Sequence, residues 1–533
     1  MSDHGKGVVV QQRTGIGLAF ATACSVLIAG CGALPADRPE YAVDVERSVG
    51  SDAATDRTPP PLSRPNADFN WVECTDLTIT TYELPRIESD AVIECASIPV
   101  LADPTGSFSE PLVLGLTRAR FLHTPEHAAP LVLTTGTTQP SSRAVAQLAI
   151  NESPLLSSRP VVAVDRRGTG ASTPVSCFTR AMEEQHVDLT RGIATEADRA
   201  TEAAAIGRES TLACTDQIEP MTTMFTMDNA AQDLEMLRSR WDIDTLAILG
   251  VGEGALVALR YANSHPENVS RLVIDSPPAL PDTPPRTPGT DALANAAQQS
   301  EGFEAAVAAF DAYCNAAECG LGDSAAQTVR SLLADARAGL LGLVTPGAIV
   351  TTISGILSDA SEPSDQRMAT LADVLSATQN RDYAPLLQLS YSLHRITSND
   401  GQFIGRCSDL STRSTIEAVR NVAEQWRIDY PTVGDELLVR SLLCSAWPNI
   451  EVPETDGDIT SPTMLIEGTR DPLMGSGTIR ELRGPLLATG ATVANVTWQG
   501  IGHGATLHSH CASQRAADFV TDGEASAATT CPE

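Results

Sequence analysis

Short continuous apolar runs recur along the chain, each ending at glycine or an acidic residue and leading into a turn or a helical pattern. Leu131-Val132-Leu133 precedes TTGTTQPSS, and Val161 to Val164 leads into Asp165-Arg166-Arg167-Gly168-Thr169-Gly170. Leu246 to Leu249 runs into Gly250-Val251-Gly252-Glu253-Gly254, Leu272 to Ile274 ends at Asp275, and Met464 to Ile466 ends at Glu467-Gly468. Apolar runs without polar alternation fit strands of a parallel sheet covered on both faces. Between two of them, Asp228 to Trp241 carries Ala230, Leu234 and Leu237 on one helical face, and Leu256, Leu259 and Ala262 recur at helical spacing after Gly254. The alternation of strand and helix predicts an α/β fold with a mostly parallel, doubly wound sheet, whose site lies at the carboxyl ends of the strands.

Residues 281–460 break that rhythm. The stretch opens with PDTPPRTPGT and continues through Ala/Leu-rich helical segments such as Glu304 to Tyr313 and Ala325 to Leu341, with no strand–turn–helix unit. It reads as a helical cap inserted into a core made of residues 69–280 and 461–533. At the other end of the chain, Ile16 to Gly30 is an apolar run of signal-peptide length after a weakly basic start at Lys6 and Arg13. It closes on Ile28-Ala29-Gly30-Cys31, which resembles a bacterial lipobox and makes Cys31 the expected lipidated residue. Residues 1–30 are then a lipoprotein signal peptide. Residues 31–68, rich in Pro, Asp, Arg and Ser, read as a disordered tether. The expected location is export, with lipid anchoring on the outer face of the bacterial cell membrane or secretion.

Composition sharpens this picture by exclusion. The 533 residues carry 36 Lys+Arg against 67 Asp+Glu, a formal charge of −31. Such an acidic chain lacks the basic face a nucleic-acid partner requires. The single lysine, Lys6, sits in the signal segment, so no Schiff base, Ser–Lys dyad or phosphate-loop lysine is available to the body. Ten cysteines beyond Cys24 and Cys31 fall into five neighbouring pairs: Cys74 and Cys95, Cys177 and Cys214, Cys314 and Cys319, Cys407 and Cys444, Cys511 and Cys531. None has C-x-x-C spacing, so disulfides in an oxidising compartment are expected, with neither a metal nor a cofactor.

The chemistry gathers in three turns. Gly250-Val251-Gly252-Glu253-Gly254 has the strand before it, the helix after it and the outer glycines of a G-x-S-x-G nucleophile elbow, but glycine stands at its centre. Gly468-Thr469-Arg470-Asp471-Pro472 follows a strand as a triad acid does, and Gly502-His503-Gly504 follows Val493 to Trp498 where the histidine loop belongs. The order nucleophile position, Asp, His is that of α/β-hydrolases. Ser276, after Asp275, is a weaker candidate for a displaced nucleophile. Arg166 and Arg167 are expected to stabilise their turn rather than to clamp a substrate.

At these residues the chain resembles the secreted tripeptidyl aminopeptidase-like α/β-hydrolases, relatives of prolyl aminopeptidase. The resemblance runs through Cys95 to Val100, Asp165 to Pro174 with Cys177, Thr222 to Arg238, Tyr261-Ala262 and Pro266 to Asp275. It continues through Cys407-Ser408-Asp409, Cys444 to Pro448, Glu467 to Pro472 and Gly502-His503-Gly504, to Cys511, Asp522-Gly523 and Cys531. It implies an α/β-hydrolase fold with a helical cap, disulfides at the five cysteine pairs, and cleavage of short peptides, amides or esters through an acyl-serine. This chain departs from the pattern at the chemistry. Gly252 replaces the serine, and Glu253 follows it where the backbone N–H serves the oxyanion hole. The facing loop, Thr135-Gly136-Thr137-Thr138-Gln139-Pro140, keeps one glycine. Gly136, Thr137 and Glu253 are the oxyanion-hole candidates, with Asp471 and His503 as charge-relay remnants. The expectation is a degenerate hydrolase that binds a peptide, ester, acyl or envelope-derived ligand between core and cap. The alternative is an active peptidase or esterase in which Asp471 and His503 activate water or an unrecognised nucleophile.

Overall fold

The computed structural model describes residues 60–533 apart from 104–105, 107–110, 126, 190–195, 281–289, 451–456 and 525–527. The predicted signal peptide, Cys31 and most of the predicted tether lie outside the described residues. Among the described residues twelve strands occur in chain order: β1 (Val72–Glu73), β2 (Ala91–Leu101), β3 (Pro111–Phe121), β4 (Leu131–Thr134), β5 (Val161–Val164), β6 (Leu246–Val251), β7 (Val269–Asp275), β8 (Thr290–Asp291), β9 (Leu410–Thr412), β10 (Thr463–Arg470), β11 (Val493–Ile501) and β12 (Thr529–Cys531). Ten form one sheet in the order β1-β2-β3-β5-β4-β6-β7-β10-β11-β12, and β8 pairs with β9 apart from it. From β5 to β12 the sheet is parallel, while β1, β2 and β3 add an antiparallel edge.

The apolar runs of the sequence are the central strands. In β4, Leu131 and Leu133 enter one hydrophobic cluster and Val132 the cluster on the opposite face; in β6, Ala247, Leu249 and Val251 oppose Leu246 and Ile248. Period-two geometry thus divides each continuous run between two cores, which is why no polar alternation is visible. The helix Met227–Trp241 covers one face with Ala230, Leu234 and Leu237, and its start is fixed by the Thr226 side chain accepting from the Asn229 N–H. It ends at Asp242, whose φ of 53° is left-handed.

Three features differ from the sequence reading. The long antiparallel hairpin β2–β3 is an element that reading lacks; its register runs from Ala91↔Phe121 to Leu101↔Pro111. Next, residues 60–68, which the sequence reading gave to the tether, include several that hydrogen-bond to the core: Arg271 donates to the Pro60 carbonyl, Thr245 Oγ1 to that of Pro61, and the Asn66 N–H to that of Trp241. Finally, the cap is larger than 281–460. Of the segments placed with the core by the sequence reading, the helix Glu196–Ile218 contributes Ala203, Ile206 and Ile218 to the same cluster as Phe403, Val419, Trp426, Leu438 and Trp447, and Val187 of the helix Arg180–Val187 enters a second cluster with Phe303, Ile349 and Leu371. Their apolar faces match those of the later helices, so tertiary packing assigns them to the cap. The five disulfides join the neighbouring cysteine pairs, 74–95, 177–214, 314–319, 407–444 and 511–531. Among the described residues no helix is long and apolar enough to cross a membrane.

The cap interior holds two buried imidazoles. His186 shares a hydrogen bond with Ser210 at 2.7 Å, and His394, whose Nε2 has no partner, lies with its ring centroid 6.4 Å from that of His186. Burial, with the positive charges of Arg440 and Arg406 nearby, pushes both down to about 3. The folded state therefore binds fewer protons than an unfolded chain whose histidines titrate near 6.5. Stability from these groups is full above about 6.5 and is lost toward pH 3, by up to about 1.4 kcal/mol per pH unit for each group. The loss of melting temperature between pH 7 and pH 5 is expected to shrink in His394→Phe; an unchanged pH dependence in that variant contradicts the assignment.

Candidate active site

The pairing of Thr134 with Gly250, Val251 with Asp275 and Arg470 with Ile501 brings the carboxyl ends of β4, β6, β7, β10 and β11 into one row. The loops that leave them carry Gly136 to Thr138, Gly252, Asp471 and His503. Val251 closes β6 and Gly254 opens the helix Gly254–Ser264, so Gly252 and Glu253 are the whole turn. Gly252 sits at φ +60°, the left-handed conformation that makes an elbow sharp. Its N–H donates to the Asp275 carbonyl at 2.9 Å.

Asp471 and His503 form a buried pair, 0% and 2% exposed, with 2.8 Å between Oδ2 and Nδ1. The other carboxylate oxygen of Asp471 accepts from the N–H groups of Leu473 and Met474 at 2.9 and 3.0 Å. Burial pulls the His503 imidazole down, and the charge and hydrogen bond of Asp471 outweigh it, so His503 is held above its ordinary value. Asp275 fixes the histidine loop from below, accepting from the N–H groups of Ala505 and Thr506 and from the Thr506 hydroxyl. This aligns the imidazole as a triad does.

Beyond His503 the triad stops. The Nε2 atom is buried and has no hydrogen-bond partner. A Cβ at position 252 would stand 2.8 Å from it and 2.5 Å from the Thr138 hydroxyl oxygen. The space that a serine side chain needs has therefore closed from both sides. The Glu253 N–H, which completes the oxyanion hole of an active elbow, donates to Thr138 Oγ1 at 3.0 Å. The remaining cavity at His503 measures about 20 Å³ and is bordered by Thr138, Gln139, Arg143, Asp359, Leu393 and Thr397 among others. That is room for about one water.

Each residue singled out from sequence has a definite place. Gly136 lies against the elbow, where a Cβ would come within 2.6 Å of the Glu253 carbonyl carbon. The Thr137 hydroxyl is buried without a partner, and its carbonyl accepts from Arg406 at 3.3 Å. The Glu253 carboxylate faces Arg406 of the cap helix Asp400–Ser408 at 3.5 Å. Burial raises its pKa, against the pull of Arg406 and Arg166, and Asp409 adds to the rise. Ser276 is 1% exposed and donates to Asp275 Oδ1 at 3.0 Å. Arg166 is bidentate on Asp409 and Arg167 on Asp233. The first joins core to cap, so both arginines are structural beyond their own turn.

Sequence reasoning missed Thr138, Arg406 and the Arg143–Asp359 pair, 3.1 Å apart. Thr138 had a signal: it is a polar residue in the loop after β4, facing an elbow that has lost its own hydroxyl. Arg406 and Asp359 lie over 100 residues from the elbow, with no local pattern to mark them.

The alpha/beta hydrolase fold family matches residues 136–315, and the TAP-like protein family matches residues 430–531. Over these segments the chain is similar to the TAP-like α/β-hydrolases. Tripeptidyl aminopeptidase of Streptomyces lividans is 31% identical over 120 residues, which are 22% of this chain and 21% of that protein. Serine protease Hip1 of Mycobacterium tuberculosis is 24% identical over 388 residues, covering 64% of this chain and 69% of that one. The chain thus spans about a fifth of the length of the aminopeptidase it matches. The crystal structure of proline iminopeptidase from Mycobacterium smegmatis aligns with 80% of this chain and 97% of its own at 15% identity and a TM-score of 0.39. In this chain Asp471 and His503 are paired at the site, and Gly252, Glu253 and Thr138 stand beside them.

Any side chain at 252 must both adopt φ +60° and displace Thr138 or His503. Gly252→Ala is expected to lower the free energy of unfolding by about 2 to 4 kcal/mol, combining left-handed strain with overpacking. Urea denaturation measures this, and a variant as stable as the parent contradicts the crowding described.

Proposed function

We propose that this chain is a catalytically silent TAP-like hydrolase, a body that keeps the acid–histidine pair and has lost acyl transfer. One observation carries the reading: the atom that should attack is absent at Gly252, and its surroundings have closed on the gap. Without a nucleophile, His503 has no serine proton to take. With the Glu253 N–H held by Thr138, an approaching carbonyl oxygen finds one oxyanion donor already engaged. Engagement of a peptide, ester or envelope-derived acyl ligand between core and cap then requires the cap to lift, since ligand pockets run to about 300 Å³ or more and this cavity is about 20 Å³.

The expected result is that a fluorophosphonate probe leaves the purified protein unlabelled and that hydrolysis of peptide and ester substrates stays at the level of His503→Ala. Stoichiometric covalent labelling at any residue overturns the reading. A second reading rests on the bare Nε2 of His503 beside a cavity of one-water size. There His503 acts as general base on water, and a slow hydrolysis abolished in His503→Ala but not altered by the probe supports that reading over the first.

The body is placed outside the cell in this proposal, held by lipid at Cys31. Five disulfides fit an oxidising compartment. Labelled palmitate is expected to enter the chain and to be lost in Cys31→Ser, with the variant released from membranes; unlabelled parent protein contradicts the anchor.

A further inference from the structure

The loop after β4 meets the elbow through one atom that performs two substitutions. Thr138 Oγ1 lies 2.5 Å from the place of a Cβ on residue 252, so it fills part of the volume of the lost serine. The same atom accepts from the Glu253 N–H at 3.0 Å, so it also stands where a substrate's carbonyl oxygen would be received. We propose that Thr138 is a built-in occupant of the oxyanion pocket, and that Thr138 and Gly252 form a coupled unit that must change together for acyl transfer to return. The proposal rests on the silent-hydrolase reading and states what keeps the site silent besides the missing serine.

The surroundings leave Thr138 as the partner that must yield. His503 is pinned by Asp471, itself held by the N–H groups of Leu473 and Met474. It cannot retreat from a new side chain at 252 without breaking that set. The loop backbone is equally fixed: Gly136 packs on the elbow, Thr135 Oγ1 donates to the Gln139 carbonyl at 2.5 Å, and Arg406 holds the Thr137 carbonyl. Thr138 is 4% exposed, and as a β-branched residue it has few rotamers. Rotation that removes its oxygen from the Glu253 N–H brings its methyl group or its hydrogen toward the same crowded space and strands a backbone donor. A serine introduced at 252 therefore meets a filled volume and an engaged donor together. Truncation of Thr138 to glycine frees the Glu253 N–H and opens the Thr138 side of that volume, so a small shift of the elbow can carry the new side chain away from the pinned His503.

The test uses the full-length protein and compares the parent, Gly252→Ser, Thr138→Gly and the double variant with a fluorophosphonate probe, read by intact mass and peptide mapping. In a competent site the introduced hydroxyl oxygen bonds to phosphorus, fluoride leaves, and the hydroxyl proton passes to His503 Nε2. The double variant is expected to label stoichiometrically at position 252, at least about 100-fold faster than Gly252→Ser, the scale of one oxyanion donor. Thr138→Gly and the parent stay unlabelled. Equal labelling rates in Gly252→Ser and the double variant overturn the proposal while leaving the parent silent. An unlabelled double variant that melts cooperatively overturns it as well. Labelling of the parent, at Thr138 or elsewhere, instead overturns the reading beneath it. Melting provides a readout independent of chemistry: Thr138→Gly is expected to cost less, or to stabilise, when position 252 is serine. The same cost in both backgrounds rules out the coupling.

Discussion

The parallel pairing of β4 with β6 is the constraint from which the site follows. Because Thr134 is opposite Gly250, the loop leaving β4 and the elbow leaving β6 emerge side by side and at one height. Gly254 lies so close to the Thr134 carbonyl, and Gly136 to the Glu253 backbone, that neither loop can shift without the other. In an enzyme this contact holds an oxyanion hole rigid around a substrate. Here a hydroxyl of the chain, that of Thr138, accepts from the Glu253 N–H at this contact. The loss of one side chain has been absorbed by the nearest polar group, as dense packing and the cost of an unpaired buried donor both require.

The cap repeats this theme on a larger scale. Arg406 reaches from the helix Asp400–Ser408 to the Glu253 carboxylate and the Thr137 carbonyl, and Asp409 at the end of that helix receives Arg166 from the core. Gly302 of the cap helix Ala292–Ala317 packs against the carbonyl of Asp471. The closure of the site is thus made of charges and close backbone approach, and apolar side chains supply the bulk of the cap behind it. A buried arginine–carboxylate pair contributes modest net stability while making the loss of either partner costly. Such a pair specifies how the cap sits more than how tightly it is held.

Much of the core was legible in the residues. Leu131 to Leu133, Val161 to Val164 and Leu246 to Leu249 announce buried strands because both sheet faces are covered, and Gly252, Asp471 and His503 were readable because each terminates such a strand. The helix read over Asp228 to Trp241 was equally plain from Ala230, Leu234 and Leu237 on one face, and in the structure it is Met227–Trp241. The hairpin β2–β3 was not found, although Leu112, Leu114 and Leu116 alternate, because its outer face is partly exposed and its run is interrupted by charge. The first cap helices were assigned to the core because their sequence shows an apolar face without naming the face that covers it. Thr138 was missed for a related reason: its role exists only across the gap between two loops that are 114 residues apart.

The pattern of cross-links has a mechanical meaning. Every disulfide among the described residues closes a local segment of 5 to 37 residues, within the core or within the cap, and none joins one to the other. Oxidation therefore stiffens each body separately and adds no cross-link between them beyond the chain's own connections. Apart from the chain's own connections that seam is held by ion pairs, hydrogen bonds and packing, so ionic strength rather than redox potential is the solution variable to which it is exposed.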